Sequence, residues 1–445
     1  MKFGGTSVGD VAAFERVTGI VSSQTGRRPV VVVSAMTKVT DALLGAFETA
    51  KSGDAASAFA SLVPHFERHL DVAEQFLPPT GNNPFLTEFN YAREELEDLL
   101  TRVSRRSLPL SMLKDAVVSY GEQLSSRLLT EVLRSRGVAA RHVDSRRVIV
   151  TDDEYGSAAP VWDETERLVR LELGPIVDGG EVPVMGGFIA ASRGGETTTL
   201  GRGGSDYSAA LVAAALRAGE LQIWTDVTGV MTCDPRICGD ARTIPVLSYE
   251  EAAELAYFGA KVLHPKTIKP AIDHNIPVRV CNTFEPAAVG TMVLAESGVA
   301  PSTIKSIAHK KNITILRITS ARMLGAYGFM AALFQIFERY RTAIDVISTS
   351  EVSVAMTLDN TESLDKIVAE LERLGEVEVE HGFAVICVVG EGLRSSSGLA
   401  AKIFSTISDV NISLVSHGAS EVNMTFVVNE TAVADVIRKL HEEFF

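Results

Sequence analysis

Four consecutive valines at 30–33, set between Pro29 and the small, polar Ser34-Ala35-Met36-Thr37, restrict this chain more than any other segment. An unbroken β-branched run has no polar face. It suits a strand covered on both sides, as in a parallel sheet flanked by helices. The same grammar recurs. Residues 1–3 run into Gly4-Gly5, a strand at 182–188 contains Gly186-Gly187, and 221–224 leads into Thr225-Asp226-Val227-Thr228-Gly229, with 148–150 as a shorter strand. Periodicity places helices at 11–24, over most of 41–135 with breaks at 78–84 and Pro109, and at 205–218. Strands alternating with helices imply an open α/β sheet with helices on both faces. Ligands of such sheets sit at the carboxyl ends of the strands, where each glycine-rich segment falls.

The first of these segments, Lys2-Phe3-Gly4-Gly5-Thr6-Ser7-Val8-Gly9-Asp10, has the layout of a phosphate cradle. Glycines let the backbone approach an anion, and a following helix offers unpaired N–H groups and the positive end of its dipole. The spacing of Gly4 and Gly9 imitates a P-loop, but Asp10 stands where that motif needs lysine. The lysine precedes the glycines instead. An ordinary strand–turn–helix corner accounts for this segment almost equally well when it is taken alone.

The chain has 445 residues, enough for two to four domains, and at 46% hydrophobic and 22% charged it has a globular composition. A net charge of −14 without a basic run argues against nucleic acid or an anionic membrane as the main partner. Anionic substrates stay open, because a local cluster of Lys and Arg outweighs the global sign. The four cysteines, Cys233, Cys238, Cys281 and Cys387, show no Cys-x-x-Cys pair and no Cys/His ligand spacing, so reduced thiols and no metal site are expected. No apolar run reaches the roughly 18 residues of a membrane span. The start carries no signal-peptide pattern, and a cytoplasmic protein is expected.

A shift to small residues, Gly and Pro at 286–301 reads as a linker. Beyond it lies an internal repeat: 344–358 is echoed by 412–426. Each copy follows an apolar strand (313–318; 384–389) and an amphipathic helix (328–340; 398–408), and each precedes another helix (364–374; 432–443). The unit is a small α+β module of ferredoxin-like type. Two copies are too few for a solenoid, so a side-by-side pair or pairing across a dimer is expected. The expected division is 1–295, 296–380 and 381–445, with a dimer or larger homo-oligomer.

With Lys2-Phe3-Gly4-Gly5-Thr6-Ser7, Gly201-Arg202-Gly203-Gly204-Ser205-Asp206, the Trp224-Thr225-Asp226 loop and two tail repeats, the chain resembles the aspartate kinases over essentially its whole length. The resemblance implies an amino-acid-kinase catalytic domain followed by two ACT domains, the small modules that bind amino-acid effectors. Ending at Phe445 without a dinucleotide-binding segment, the chain is similar to the monofunctional kinases. The implied reaction is L-aspartate + ATP giving 4-phospho-L-aspartate + ADP, the entry to lysine, threonine and methionine, with Mg²⁺ carried by the nucleotide.

By that resemblance Lys2 and Asp206 are catalytic, with Gly4, Gly5, Thr6 and Ser7 donating to phosphate oxygens. Arg202 would take the substrate α-carboxylate and Glu122 its ammonium, with Ser34, Thr40, Phe188 and Ser205 also at the aspartate. Thr225, Asp226, Arg236 and Lys261 match nucleotide positions, and Met231 stands where relatives usually carry Tyr beside the base; a thioether still covers an adenine face. Relatives also carry a few residues before the lysine, so a trimmed start is expected. Met323, Ala326, Phe329, Met330, Asp345, Thr349, Ser350 and Glu351 fall on the segment that binds lysine in relatives, with Asp345 expected to take the effector ammonium; threonine is the other candidate effector. Read without the resemblance, Asp206 is a common helix-start carboxylate, Glu122 a solvated one, and Phe329 and Met330 sit at core spacing. Two other readings compete: a related kinase with another carboxylate acceptor, and a catalytically silent amino-acid sensor.

Overall fold

In the computed structural model, which describes residues 1–79, 83–259, 263–296, 303–325 and 327–445, Val31–Val33 is a fully buried strand. Lys2–Phe3 lies beside it in parallel, with Lys2 opposite Val32. The sheet runs in the order Ala140–His142, Val182–Gly186, Val31–Val33, Lys2–Phe3, Leu221–Thr225, Val278–Asn282, Thr291–Leu294 and Val246–Ser248. Its central pairings are parallel, and Thr291–Leu294 joins antiparallel. That last strand lies within the stretch expected to be a linker. Small residues interspersed with Thr, Met and Val do not suppress strand formation when Val293 can be fully buried. A second, three-stranded sheet combines Val150–Thr151, Ile189–Ser192 and Thr197–Thr199.

Helices cover the sheet for local reasons. Val11–Ser23 is capped by Asp10, whose carboxylate accepts from Ala13 N–H at 2.8 Å, and it buries Phe14, Val17 and Val21. Gly204–Leu216 is almost entirely small and apolar, and it is buried against the helices Trp162–Asp178 and Pro265–Asp273. The expected helical stretch resolves into six helices between Val39 and Ser135, with 80–82 outside the described residues. Phe188 leaves its strand early because it adopts φ +66, a left-handed conformation that no strand continues.

Two compact units emerge. One comprises 1–230, 245–247 and the segment up to Ala295; the other comprises 231–244, 248 onward to the end of the following helix, and the C-terminal stretch to Phe445. The second unit holds a six-stranded antiparallel sheet in the order Ile347–Thr349, Ser353–Leu358, Thr303–Thr319, Glu376–Glu391, Asn423–Asn429 and Ile412–His417. Its two longest strands pair with each other along their whole length, with bulges between Lys310 and Ile315. Two cores lie against it. Leu316 and Ile318 pack with Leu333, Phe337, Met356 and Ile367, whereas Ile304 and Ile307 pack with Ala384, Ile386, Phe426 and Ile437. The division at 380/381 therefore cuts across the sheet, since the early half of Thr303–Thr319 supplies side chains to the later core.

Candidate active site

The carboxyl ends of the central strands open on a cleft of about 680 Å³ that brings together Lys2, Gly5, Ser34, Thr40, Glu122, Phe188, Arg202, Ser205 and Asp206. A cleft of similar size, about 700 Å³, lies at the opposite ends of the strands beside Met1, Arg28 and Glu220. Sheet topology favours the former, because strand carboxyl ends are where loops converge on a ligand.

Lys2 projects from its short strand, and its Nζ lies 2.8 Å from Asp206 Oδ1, with side-chain exposures of 12% and 15%. Oδ1 lacks the alignment of a hydrogen bond, so the contact is an ion pair by proximity. Asp206 stands in the first turn of Gly204–Leu216, directly after Gly203 at φ +71. A Cβ on Gly187 would sit 2.6 Å from Ser205 Cα, so two loops of the cleft touch through that glycine.

Glu122 begins the helix Tyr120–Ser135 and is buried, not solvated. Its Oε1 accepts from Ala35 N–H at 3.1 Å, and Oε2 has no partner. Burial pushes its carboxyl up to about 8, against the opposing pull of the Ala35 N–H and Lys2. Arg202 is exposed, and no ion pair engages it among the described residues. A cation, an orphaned carboxylate oxygen and a free guanidinium thus face one cleft. Such a set suits a zwitterion bearing a further negative charge.

The expected phosphate cradle is narrower than the sequence suggests. Ser7 is fully buried, with its hydroxyl 2.7 Å from Thr283 Oγ1, and Gly4 N–H donates to Trp224 O at 3.1 Å. Both are committed to the fold. Gly5 and Thr6 open a 3₁₀ turn, Gly5–Val8, where the first N–H groups have no partner inside the turn. A Cβ on Gly5 would lie 2.9 Å from Ala35 O, so the close approach requires glycine.

Two positioning residues escaped the sequence reading. Arg68 donates to Thr37 O at 2.9 Å and Gly9 O at 2.6 Å, while Thr37 Oγ1 donates to Gly5 O at 2.8 Å. Together they tie the first two strand-end loops. Asp115, buried, accepts from Gly156 N–H at 2.9 Å and Thr199 N–H at 2.8 Å. Both sit mid-helix, where charged residues are commonplace and no local pattern marks them.

Of the nucleotide candidates, Thr225 and Asp226 stand at the end of Leu221–Thr225, with Thr225 Oγ1 donating to Asp226 Oδ1 at 3.2 Å. Met231 and Arg236 belong to the second unit, where Arg236 is exposed but engages Asp234 through Nε at 3.0 Å and Nη2 at 2.7 Å. Lys261 lies outside the described residues. In the tail, Met323, Phe329 and Met330 pack on the nearer core, and Ala326 is outside the described residues. Asp345 departs from expectation: it is not a free anion but pairs with Lys310 Nζ at 3.1 Å and accepts from Tyr257 OH, its side chain 1% exposed. Ser350 serves its hairpin turn through Ser353 Oγ at 2.7 Å, leaving Thr349 and Glu351 exposed.

Residues 1–282 match the amino acid kinase family, and 386–444 match the ACT domain. The chain is 38% identical to lysine-sensitive aspartokinase 3 of Escherichia coli, over 100% of this chain and 98% of that protein. It is 37% identical to chloroplastic aspartokinase 1 of Arabidopsis thaliana, over 100% of this chain and 80% of that one. A crystal structure of E. coli aspartokinase III with aspartate and ADP (R-state) superposes with a TM-score of 0.83 at 37% identity, covering 100% of this chain and 99% of the other. The same enzyme with lysine and aspartate (T-state) gives 0.84 at 38%, covering 100% and 98%.

Proposed function

The chain belongs to the aspartokinase family, and we propose that it transfers the γ-phosphoryl group of ATP to the β-carboxylate of L-aspartate, under feedback control by lysine through its tail modules. The observation that carries this reading is the convergence of Lys2, Glu122 and Arg202 on one cleft at the strand carboxyl ends. A β-carboxylate with a free pKa of about 3.9 is already ionised, so the reaction needs no general base. It needs two anions aligned and the charge of the transferred group neutralised. Lys2, a compact charge oriented by Asp206, supplies that neutralisation, with the Gly5 and Thr6 N–H groups beside it. Arg202 offers a fork for the α-carboxylate, and Glu122 Oε2 an acceptor for the α-ammonium. Ser34, Thr40, Phe188 and Ser205 complete the aspartate pocket.

Thr225, Asp226, Met231, Arg236 and Lys261 are assigned to the nucleotide, with Arg236 exchanging Asp234 for phosphate. Mg²⁺ neutralises phosphate charge when bound. The cleft carboxylates fit an ion held mainly by phosphates and water, because Asp115 and Glu122 already accept backbone N–H groups and Asp206 faces Lys2. The E. coli relative crystallised with lysine supports lysine over threonine as effector. With Asp345 paired to Lys310, an effector ammonium must displace that lysine or bind beside Thr349 and Glu351. Exposed Leu324 and Tyr327 favour a homo-oligomer. No helix among the described residues is long and apolar enough to cross a membrane, and a cytoplasmic location is proposed.

ADP release from MgATP with L-aspartate, L-glutamate, N-acetylglutamate or no acceptor tests the reading. Aspartate-dependent turnover suppressed by lysine is expected. No turnover with any acceptor, despite amino-acid binding, would instead mark a silent sensor.

A further inference from the structure

The strongest unassigned chemistry lies in the second unit, on the segment that also carries Met231 and Arg236 but on residues given no role above. Cys233, Cys238 and His441 are 4%, 5% and 1% exposed, and their ligand atoms all lie within 4.8 Å of one another. Both cysteines belong to the short segment 231–244, and His441 to the terminal helix Val433–Phe444. The sequence hides this grouping, because the histidine is remote from the cysteine pair.

Several details go beyond a packed pair of thiols. His441 Nε2 lies 2.9 Å from Thr232 Oγ1, which also accepts from Arg242 N–H at 3.0 Å. Nδ1 is left as the free ligand nitrogen, and it sits 3.5 Å from the Asp240 carboxylate. Around a tetrahedral ion with bonds of roughly 2.0–2.3 Å, neighbouring ligand atoms are about 3.3–3.8 Å apart. The Asp240–His441 spacing already has that value. Among Cys233, Cys238 and His441, spacings of up to 4.8 Å contract to this range with shifts of about an ångström, whereas Asp240 lies outside that close group and must swing in from the solvent side. Asp240 is exposed, giving an ion a route from solvent into an otherwise buried cluster. The Thr232 contact is the outer hydrogen bond that commonly fixes a ligating imidazole.

We propose that Cys233, Cys238 and His441, with Asp240 in the fourth position, form a binding site for a thiophilic divalent cation of the zinc type. Two thiolates and an imidazole select such an ion over magnesium or calcium. Thiolate and neutral imidazole are the ligating forms, so affinity falls as pH falls. The bound ion would pin the segment carrying Asp234 and Arg236 to the terminal helix within the same unit.

The test uses the full-length, reduced, chelator-stripped protein titrated with cobalt(II). Thiolate-to-cobalt charge-transfer bands and intense tetrahedral d–d bands are expected, saturating at one ion per chain and erased by added zinc. Cys233→Ser, Cys238→Ser and His441→Gln should abolish them, and Asp240→Asn should weaken binding about tenfold or more. Cys281→Ser and Cys387→Ser should leave them unchanged. Should the variants fail to fold, alkylation of the wild-type protein mapped by mass spectrometry serves instead: zinc should protect Cys233 and Cys238 selectively. Absent cobalt bands, bands surviving in Cys233→Ser, no zinc protection, or a Cys233–Cys238 disulfide forming without any metal uptake would each overturn the proposal.

Discussion

Replacing Glu122 by glutamine separates what this carboxyl does for the fold from what it does for a substrate. Burial pushes its pKa to about 8 from an ordinary 4.5. At pH 7 about a tenth of the empty sites are therefore ionised. An α-ammonium pairs with the ionised form alone, so apparent affinity scales with that fraction. KM for aspartate should fall about tenfold from pH 6 to pH 7 and level off near pH 8. Glutamine keeps an acceptor for Ala35 N–H but carries no charge. Glu122→Gln should flatten this dependence and raise KM at pH 8 by roughly 10²–10³, the cost of breaking a buried charge pair. Stability should move the other way. Below pH 4.5 both folded and unfolded carboxyls are protonated, and nothing is lost. Between 4.5 and 8 the unfolded chain ionises while the folded one does not, so stability drops as pH rises. The loss is about 1.4 kcal/mol per pH unit, or on the order of 3 kcal/mol at pH 7. Glutamine does not titrate, so the variant should be the more stable protein at pH 7, with the difference shrinking at pH 5. Denaturant unfolding at both pH values and steady-state kinetics from pH 6 to 8 read the two effects. A wild-type KM flat across that range, with an equal stability difference at both pH values, would refute the reasoning.

Lys2→Ala should lower kcat by about 10² or more with little change in unfolding midpoint, and turnover equal to wild type would remove Lys2 from the chemistry. Gly187→Ala drives a Cβ to 2.6 Å from Ser205 Cα; it should cost about 1–3 kcal/mol in thermal unfolding and raise KM for aspartate, and a neutral result would mean the loops yield freely. Lys305 Nζ lies 2.6 Å from Glu251 Oε2, with exposures of 6% and 0%. Lys305→Met should destabilise by about 3–5 kcal/mol in urea, and adding Glu251→Gln should recover part of the loss. A single-variant effect within experimental error would show that water reaches the pair.

The sheet, its flanking helices and the paired tail modules were legible because burial imposes periodicity: valines 31–33 and the apolar face of Val11–Ser23 declare themselves locally. Lys2, Glu122, Arg202 and Asp206 were legible only as residues of a recognised pattern, and the structure adds that they meet. What stayed hidden depends on distant partners. Ser7 reads as a phosphate donor until Thr283 is beside it, and Asp345 reads as a free anion until Lys310 and Tyr257 are. Arg68 and Asp115 bond to backbone atoms remote in sequence, which no spacing rule anticipates. Thr291–Leu294 was mistaken for linker because composition is a weak guide where a neighbouring strand supplies the hydrogen bonds.

The shared strands Thr303–Thr319 and Glu376–Glu391 carry a consequence for how the tail can be taken apart. What reads as two beads on a string is a nested object: the module centred on Leu333 and Met356 is inserted between the first strand of the other module and its remainder. Residues 381–445 expressed alone would lack Ile304 and Ile307 and leave a groove along Ala384 and Ile386 open to water. Excising the inner module would instead leave a gap bridged by a short turn between Ile313 and Phe383, which already face each other across the sheet. The inner module is thus the removable one, and the outer module is the frame that any truncation of this chain has to keep whole.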